Sequence, residues 1–486
     1  MTRLQSLDLK IFSSLKVLVA GDFMLDEYLW GKVERISPEA PVAVVDVQRE
    51  TRTLGGAGNV VNNLVALGAR VEVLGLVGDD NPGRLLREEL LRLGVSPEGL
   101  FADQERRTSR KTRVMAVSQQ VVRIDRETRT PAPPSYDNAA LDFLEARLDG
   151  IQAVVLSDYG KGALSPAFLK EAISMAQARK LPVVVDPKGP DYSRYSGASV
   201  ITPNRKEAEL AAGRSLERWQ DLIEAGHRMR RDLSLEGLLI TLGQEGMAWF
   251  PSRDQEVHIP AQAREVFDVS GAGDTVVAVM ALGLAGWRDD PLMAASLANI
   301  AAGVVVGKIG TAPIFRAELE RELGRRGTRL EEKIVTLEEL SLRVSYLQSQ
   351  GKKVVFTNGC FDLLHGGHIK FLEESRALGD LLVVAVDTDA SVRQVKGEGR
   401  PVIGEGQRLR ILAALEAADY VTLFSGEQLP EILKRLKPDI LTKGSNYPEA
   451  QVAGREIVQA YGGLVRLLPV TEGVSISELI NRIRQR

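Results

Sequence analysis

Short apolar runs alternate with amphipathic stretches along nearly the whole chain, and this rhythm limits the fold more than any other feature. From Lys16 to about Gly310 the runs include Val17–Ala20, Val71–Leu76, Val154–Leu156, Val183–Val185 and Leu238–Thr241. Strands that alternate with helices imply a mostly parallel sheet covered on both faces. Residues 113–124 depart from the rhythm, with β-branched residues broken by Gln and Arg, as in the strand pair of a small antiparallel flap. Residues 316–333 are charge-dense and weakly apolar, which suits a surface helix and linker. A second alternation starts near Lys352. It predicts strands at 353–357, 381–386, 419–424, 439–442 and 464–468, and helices at 367–378, 405–415, 428–436 and 452–461. A chain of 486 residues exceeds one core. The expected division is 1–325, a linker at 326–350, and 351–486.

Composition narrows the function. A net charge of −3 argues against nucleic-acid binding driven by bulk charge. A single cysteine excludes an internal disulfide and fits a reducing cytoplasm. The N-terminal Met1-Thr2-Arg3-Leu4-Gln5 lacks the pattern of a secretory signal, and no apolar window reaches membrane-spanning length.

Thr357-Asn358-Gly359-Cys360-Phe361-Asp362-Leu-Leu-His365-Gly-Gly-His368 directly follows Val354-Val355-Phe356 and holds two of the four histidines. A strand, a glycine turn and two histidines where a helix starts place both imidazoles beside free backbone N–H groups, a setting that suits phosphate. Such imidazoles can donate to phosphoryl oxygens as charge moves onto a leaving pyrophosphate. Zinc would need three or four N/S ligands, while the other candidates, His227 and His258, lie far off in sequence. Lys396, Arg400, Arg408 and Lys443 add cations near strand and helix ends, and Thr471 to Ser477 bring hydroxyls to the start of the last helix.

In the first half, Gly271-Ala272-Gly273-Asp274 precedes the apolar helical run Val276–Leu284. Small residues there let backbone N–H groups approach an anion. A carboxylate beside that pocket suits a general base acting on an attacking hydroxyl, although capping the helix is the other role open to Asp274. Gly55-Gly56-Ala-Gly-Asn59 precedes a second helix, and Asp22 and Asp26 follow the first strand. Asp158 to Gly162 and Asp186 to Gly189 also follow strands, at the edge where α/β sheets hold ligands. Arg110, Lys111, Arg113, Lys161 and Lys188 are candidates to face an already phosphorylated sugar, with plain surface solvation as the competing role.

Gly-Gly-x-Gly-Asn followed some two hundred residues later by Gly-Ala-Gly-Asp resembles the ribokinase-like carbohydrate kinase family over about 1–320. The resemblance implies an α/β sandwich with a small β lid at 113–124. It implies Asp274 as catalytic base and Gly271, Ala272 and Gly273 as an anion hole. Asn204-Arg205-Lys206-Glu207 matches the family's N-x-x-E element, which organises Mg²⁺ and nucleotide phosphates, with Glu207 reaching the metal through water. Thr241, Gly243 and Gly246 match its later ATP loop, and Asp22, Asp26, Gly55, Gly56, Asn59, Arg113, Asp158, Lys161 and Lys188 fall on the sugar side.

His365-Gly-Gly-His368 likewise resembles the H-x-G-H motif of the nucleotidyltransferase superfamily and implies a Rossmann-like domain. The implied nucleotide contacts are Thr357, Asn358, Gly359, Phe361, Asp362, Lys396, Arg400, Arg408, Lys443, Ser475 and Ser477. The superfamily's R-T-E-G-[IV]-S-T motif is altered here, with Val470 in place of its arginine and Ile476 between the serines.

Both halves in this order resemble a family of bifunctional bacterial enzymes. Arg35 to Pro41, Ser157 to Lys161 and Ala302 to Thr311 share in the likeness. It implies phosphorylation of D-glycero-β-D-manno-heptose 7-phosphate at O1, then adenylyl transfer from ATP to heptose 1-phosphate, with ATP as co-substrate of both reactions and Mg²⁺ as a cofactor. A monovalent cation is a further candidate cofactor, and a cytoplasmic homodimer without nucleic-acid or membrane partners is expected. Two other readings stay open: the same fusion acting with CTP on another sugar phosphate, and a kinase carrying a regulatory nucleotide-binding domain.

Overall fold

The computed structural model describes residues 4, 7–116, 119–253, 255–261, 266–308, 310–324, 330, 333–445, 448 and 451–469. The chain divides into two compact units, Met1–Arg325 and Arg326–Arg486. In the first, nine described strands form one sheet in the order Val257–Ile259, Met247–Pro251, Gly237–Thr241, Val200–Ile201, Val183–Asp186, Ala153–Ser157, Lys16–Gly21, Arg70–Gly78, Leu100–Asp103. Val257–Ile259 and Gly237–Thr241 both pair antiparallel with Met247–Pro251, and all other neighbours are parallel. Parallel strands need cover on both faces, and Ala153–Ser157 is buried throughout. Helix Ala272–Gly286 is apolar all round and buried from Asp274 to Leu284, as an inner helix must be. That burial draws its first turn, with Asp274, into the molecule.

A second sheet of the same unit has the order Ala43–Gly56, Phe23–Ile36, Ser109–Ala116, Gln119–Arg126. The flap expected at 113–124 is therefore the outer half of a larger lid. The two long strands escape a sequence reading because only their ends near the main sheet are buried, leaving the rest polar and irregular. A single residue, Asp22, separates Lys16–Gly21 from Phe23–Ile36. Asp22 is thus the hinge point between the sheets, and Asp26 belongs to the lid.

The second unit holds a parallel sheet in the order Tyr420–Phe424, Leu381–Asp387, Val354–Gly359, Ile440–Gly444, Leu464–Leu468. In chain order this is 3-2-1-4-5, a doubly wound Rossmann-like arrangement. Its switch point lies between Val354–Gly359 and Ile440–Gly444, where such sheets bind ligands.

The linker expected at 326–350 needs correction. Ile334 bridges Val421, the Val335 N–H donates to the Val421 carbonyl, and the Val421 N–H donates to the Lys333 carbonyl. Helix Leu337–Ser349, capped by Thr336, buries Leu340 and Val344 in the core that contains Phe356 and Leu436. The spacing of Leu337, Leu340, Val344 and Leu347 makes an apolar stripe on one helix face. The charge of the preceding segment hid that stripe. A fragment spanning 333–486 is expected to unfold cooperatively in urea. One starting at Gly351 is expected to lose at least the ~2–5 kcal/mol typical of deleting one buried leucine side chain. Equal urea midpoints for the two fragments would contradict this packing.

Candidate active sites

Gly271 caps helix Ala272–Gly286 with a φ of 80°, and a Cβ there would stand 2.7 Å from Asn59 Nδ2. Gly273 borders open space instead. The Ala272 N–H donates to the Val269 carbonyl at 3.3 Å, while the N–H groups of Gly273 and Asp274, which have no i−4 acceptor within the helix, offer an anion site. Asp274 stands beside them with both carboxylate oxygens engaged. Asn59 Nδ2 donates to Oδ2 at 2.7 Å, and Tyr159 Oη donates to Oδ1 at 2.7 Å. Burial pushes the Asp274 pKa up to about 6, the two hydrogen bonds hold it down, Asp26 raises it and Lys111 lowers it. A carboxylate tuned toward neutrality is suited to proton abstraction near pH 7.

A cavity of about 170 Å³ joins Asp274, Gly271 and Gly273 to Asp158, Tyr159, Asp186, Lys188, Asn204, Glu207 and Thr241. Asn204 and Glu207 are a capping box: Asn204 Oδ1 accepts the Glu207 N–H at 3.0 Å and Glu207 Oε2 accepts the Asn204 N–H at 3.1 Å. Lys188 Nζ donates to the other Glu207 oxygen at 2.7 Å. Asp186 binds its proton well above the usual carboxylate range, because it is buried and because Asp274, Glu207 and Asp158 surround it. Asp186 and Glu207 line the same cavity, and carboxylate oxygens are ligands for a hard cation. Among the described residues no three acidic, histidine or cysteine groups converge as a complete metal cage. Mg²⁺ fits this setting, since it keeps waters and takes only one or two carboxylates plus phosphates. Asp186 and Glu207 are the residues that would hold it.

Several predicted contacts serve the protein's own loops. Asp22 accepts the N–H groups of Tyr159 and Lys161 at 2.9 Å each and of Ala163 at 3.1 Å. Asp158 accepts from Gly160 N–H, Tyr195 Oη and Arg194, each at 2.7 Å. Lys161 pairs with Glu127 at 2.5 Å, and Arg113 pairs with Asp26 at 2.9 Å. Gly55 lacks a Cβ because Asp26 Oδ2 lies 2.7 Å from where it would be, and Gly56, at φ 57°, passes close to the Asp22 carbonyl. In the loop after Gly237–Thr241, Gly243 and Gly246 have φ of 64° and 93°, and a Cβ on Gly246 would collide with the Ile259 carbonyl. Arg205 pairs with Glu245 at 2.8 Å, and Lys206 is exposed away from the cavity lining. Tyr159 and Asp186 were missed as site residues. Their place in strand-end segments was visible in the sequence, but their direction was not.

In the second unit, His365 is the N-cap of helix Gly366–Arg376, and its Nδ1 accepts the Gly367 N–H at 3.2 Å. That bond leaves Nε2 of a neutral ring as the donor. The His368 ring lies 4.0 Å from that of His365, and Phe361, at φ 45°, meets it edge-on at 5.8 Å. Burial lowers the His365 pKa, while burial, His365 and Lys396 push that of His368 down to about 4. Both are neutral donors at pH 7. Lys443, at the switch point, donates to the Asn358 carbonyl at 2.7 Å, and burial lowers its pKa to about 8. Asn358 and Gly359 end the first strand of this sheet, beside that ammonium.

Three predicted nucleotide contacts are structural here. Thr357 is fully buried and donates to the Thr442 carbonyl at 3.1 Å. Asp362 is fully buried, pairs with Arg400 at 2.6 Å, and accepts the N–H groups of Val402 and Ile403 at 2.7 and 3.1 Å. Arg408 has no exposed surface and donates to the carbonyls of Ile403 at 3.0 Å, Cys360, and Asp387 at 2.7 Å, and to Asp389 Oδ1 at 2.7 Å. A guanidinium spent on strand-end carbonyls has little left for a phosphate. Ser475 and Ser477 lie outside the described residues.

Comparisons with known proteins match both units. Residues 14–318 match the pfkB family of carbohydrate kinases, and residues 356–475 match the cytidylyltransferase-like family. The bifunctional protein HldE of Desulfatibacillum aliphaticivorans is 50% identical over 99% of this chain and 98% of its own. The HldE protein of Geobacter sulfurreducens is 49% identical over 97% and 96%. Among solved structures, phosphofructokinase-2 from Escherichia coli in complex with potassium matches with a TM-score of 0.54 at 18% identity, over 64% of this chain and 98% of that one. Arabidopsis thaliana ribokinase complexed with ribose and ATP matches at 0.50, with 18% identity over 64% and 98%. The last two show the fold of the first unit.

The imidazoles make a direct test of the second site. In NMR titrations both rings are expected to stay neutral above pH 6.5, with His368 gaining its proton near pH 4. Either ring titrating above pH 7 would contradict the arrangement.

Proposed function

We propose, for a chain that belongs to the family of bifunctional HldE proteins and carries a pfkB carbohydrate kinase unit, that it phosphorylates D-glycero-β-D-manno-heptose 7-phosphate at O1 and transfers an adenylyl group from ATP to heptose 1-phosphate. The observation that carries the first reaction is Asp274, held by Asn59 and Tyr159 beside an open helix N-terminus. In the kinase step Asp274 takes the proton of the anomeric hydroxyl as its oxygen bonds to the γ-phosphorus and ADP leaves. The first-turn N–H groups after Gly271 hold the transferring oxygens. Bound Mg²⁺ would neutralise phosphate charge from the side of Asp186 and Glu207.

In the second unit the 1-phosphate oxygen attacks the α-phosphorus of ATP and pyrophosphate leaves. His365 and His368 donate to the phosphoryl oxygens as their charge grows, and Lys443 supplies a cation at the switch point. Paired neutral donors at a helix start favour chemistry over a regulatory nucleotide sensor, which needs no leaving-group donors. The HldE relatives favour a heptose-phosphate kinase and adenylyltransferase over the fusion that uses CTP. Among the described residues no helix is long and apolar enough to cross a membrane. The reading places the enzyme in the cytoplasm as a homodimer, to be checked by sedimentation.

The base role has a sign. Asp274 must be ionised, so kinase turnover is expected to fall tenfold per pH unit below about 6. Asp274→Asn is expected to cost about 10²–10⁴-fold in kinase turnover and to leave adenylyl transfer unchanged. Near-normal kinase activity in that variant would remove the base assignment.

The cations sort themselves for the sugar's own phosphate. Lys161, Lys188 and Arg113 are paired with Glu127, Glu207 and Asp26, and Arg110 lies 3.5 Å from Glu27. Lys111 lies beside Asp26 across the lid strands, with its ammonium 5.7 Å from the Tyr159 ring. It is the best placed of the five to receive the 7-phosphate. A hydrogen bond to a charged group is worth about 1.5–3 kcal/mol, so Lys111→Gln is expected to raise KM for the phosphorylated sugar roughly ten- to hundredfold. The KM for unphosphorylated heptose should change little, while any shift of the acid limb through Asp274 is shared by both sugars. An equal rise in KM for both sugars would show that Lys111 does not serve the 7-phosphate.

A further inference from the structure

Asp274 has two partners of different chemistry. The Asn59 amide nitrogen can only donate. The Tyr159 hydroxyl can donate or accept, and it lies 2.7 Å from Oδ1. While Asp274 is ionised, both partners donate to it. Once Asp274 carries the substrate's proton on Oδ1, it needs an acceptor there, and the phenol oxygen, already 2.7 Å away, can turn to accept.

Tyr159 is also placed with unusual care. Its own N–H and those of Lys161 and Ala163 are held by the buried carboxylate of Asp22. The residue before it, Asp158, is fixed by Gly160, Tyr195 and Arg194. Two buried carboxylates and their donors therefore define the position of one hydroxyl group. Burial and the charge of Asp274 keep the phenol protonated far above its ordinary range, so it stays available as a hydrogen-bond partner.

We infer that Tyr159 is a positioning residue for phosphoryl transfer: it orients Asp274 by donating to Oδ1, and it reverses to accept from Asp274 when the hydroxyl proton arrives. The inference rests on the kinase reading above. The balance is simple. The substrate O–H bond breaks and its proton moves to Asp274, the O–P bond forms, and the phosphorus–ADP bond breaks. Asp274 later returns the proton to water. Tyr159 gains and loses no net proton.

Other groups face the same carboxylate and set a background. Asp26 from the lid raises the Asp274 pKa and Lys111 from the neighbouring lid strand lowers it, while Asp186 at the end of Val183–Asp186 shares its charge field, with Lys188 opposing. None of these is changed by removing the Tyr159 hydroxyl.

The test uses Tyr159→Phe in the full chain, with kinase kcat followed from pH 5 to 9 and adenylyl transfer measured on the same sample. Loss of a hydrogen bond to a charged group corresponds to roughly one to two pKa units. The acid limb of kcat is therefore expected to move up by about that much, with adenylyl transfer unchanged. Site-specific fluorotyrosine at 159, a stronger donor, is expected to move the limb down and serves if the phenylalanine variant folds poorly. A limb that stays in place in either folded variant would reduce Tyr159 to packing and overturn the inference. That failure would leave the kinase reading intact, because Asp274→Asn tests the reading separately.

Discussion

Asp22 is a buried carboxylate that accepts three backbone N–H groups from one loop, and the architecture of the first site depends on it. It sits where the central strand Lys16–Gly21 passes into the lid strand Phe23–Ile36. The loop it holds, 159–163, carries Tyr159 to Asp274. Burial raises the Asp22 pKa, and the N–H bonds oppose that rise. An ionised carboxylate in this place is tolerable only because its oxygens are met by donors. The same three bonds satisfy backbone groups that would otherwise be orphaned below the surface.

The second unit solves the same problem with the opposite charge. Arg408 gathers the carbonyls of Cys360 and Asp387, just beyond and at the C-terminal ends of two neighbouring parallel strands, and that of Ile403, just ahead of its own helix. Asp362 completes the frame by holding Arg400 and the N–H groups of Val402 and Ile403. In the proposed reaction the histidine pair and Lys443 would meet the nucleotide beside this frame. A buried anion gathers N–H groups in one unit, and a buried cation gathers C=O groups in the other. In both, these ions hold the loops while other residues are left to carry the chemistry.

This division of labour explains what the sequence made legible. The glycine-rich segment at 271–273 and the H-x-G-H pair could be placed at helix starts because small residues or a capping side chain ahead of a helical run leave few other local structures. The α/β class of both halves followed from the alternation of apolar runs. Asp22, Asp158, Asp362, Arg408 and Thr357 were read as ligand contacts because a polar residue at a strand end looks the same whether its partner is a substrate or the next loop. Only three-dimensional pairing separates those cases, and it also shows Lys161 and Lys188 matched to Glu127 and Glu207. The lid's long strands were hidden by polar, exposed outer halves. Helix Leu337–Ser349 was hidden by the charged segment ahead of it, although its leucine spacing was present in plain view.

The central claim is that one chain carries two separate phosphorus chemistries on the same sugar. Phosphorus NMR of the purified full-length protein tests it most directly, with Mg²⁺ and ATP supplied first with D-glycero-β-D-manno-heptose 7-phosphate and then, in a second reaction, with heptose 1-phosphate. The account predicts a new anomeric phosphate resonance with ADP in the first reaction, and ADP-heptose with pyrophosphate in the second. Absence of the anomeric phosphate, or a second reaction that proceeds as well with CTP as with ATP, would contradict it.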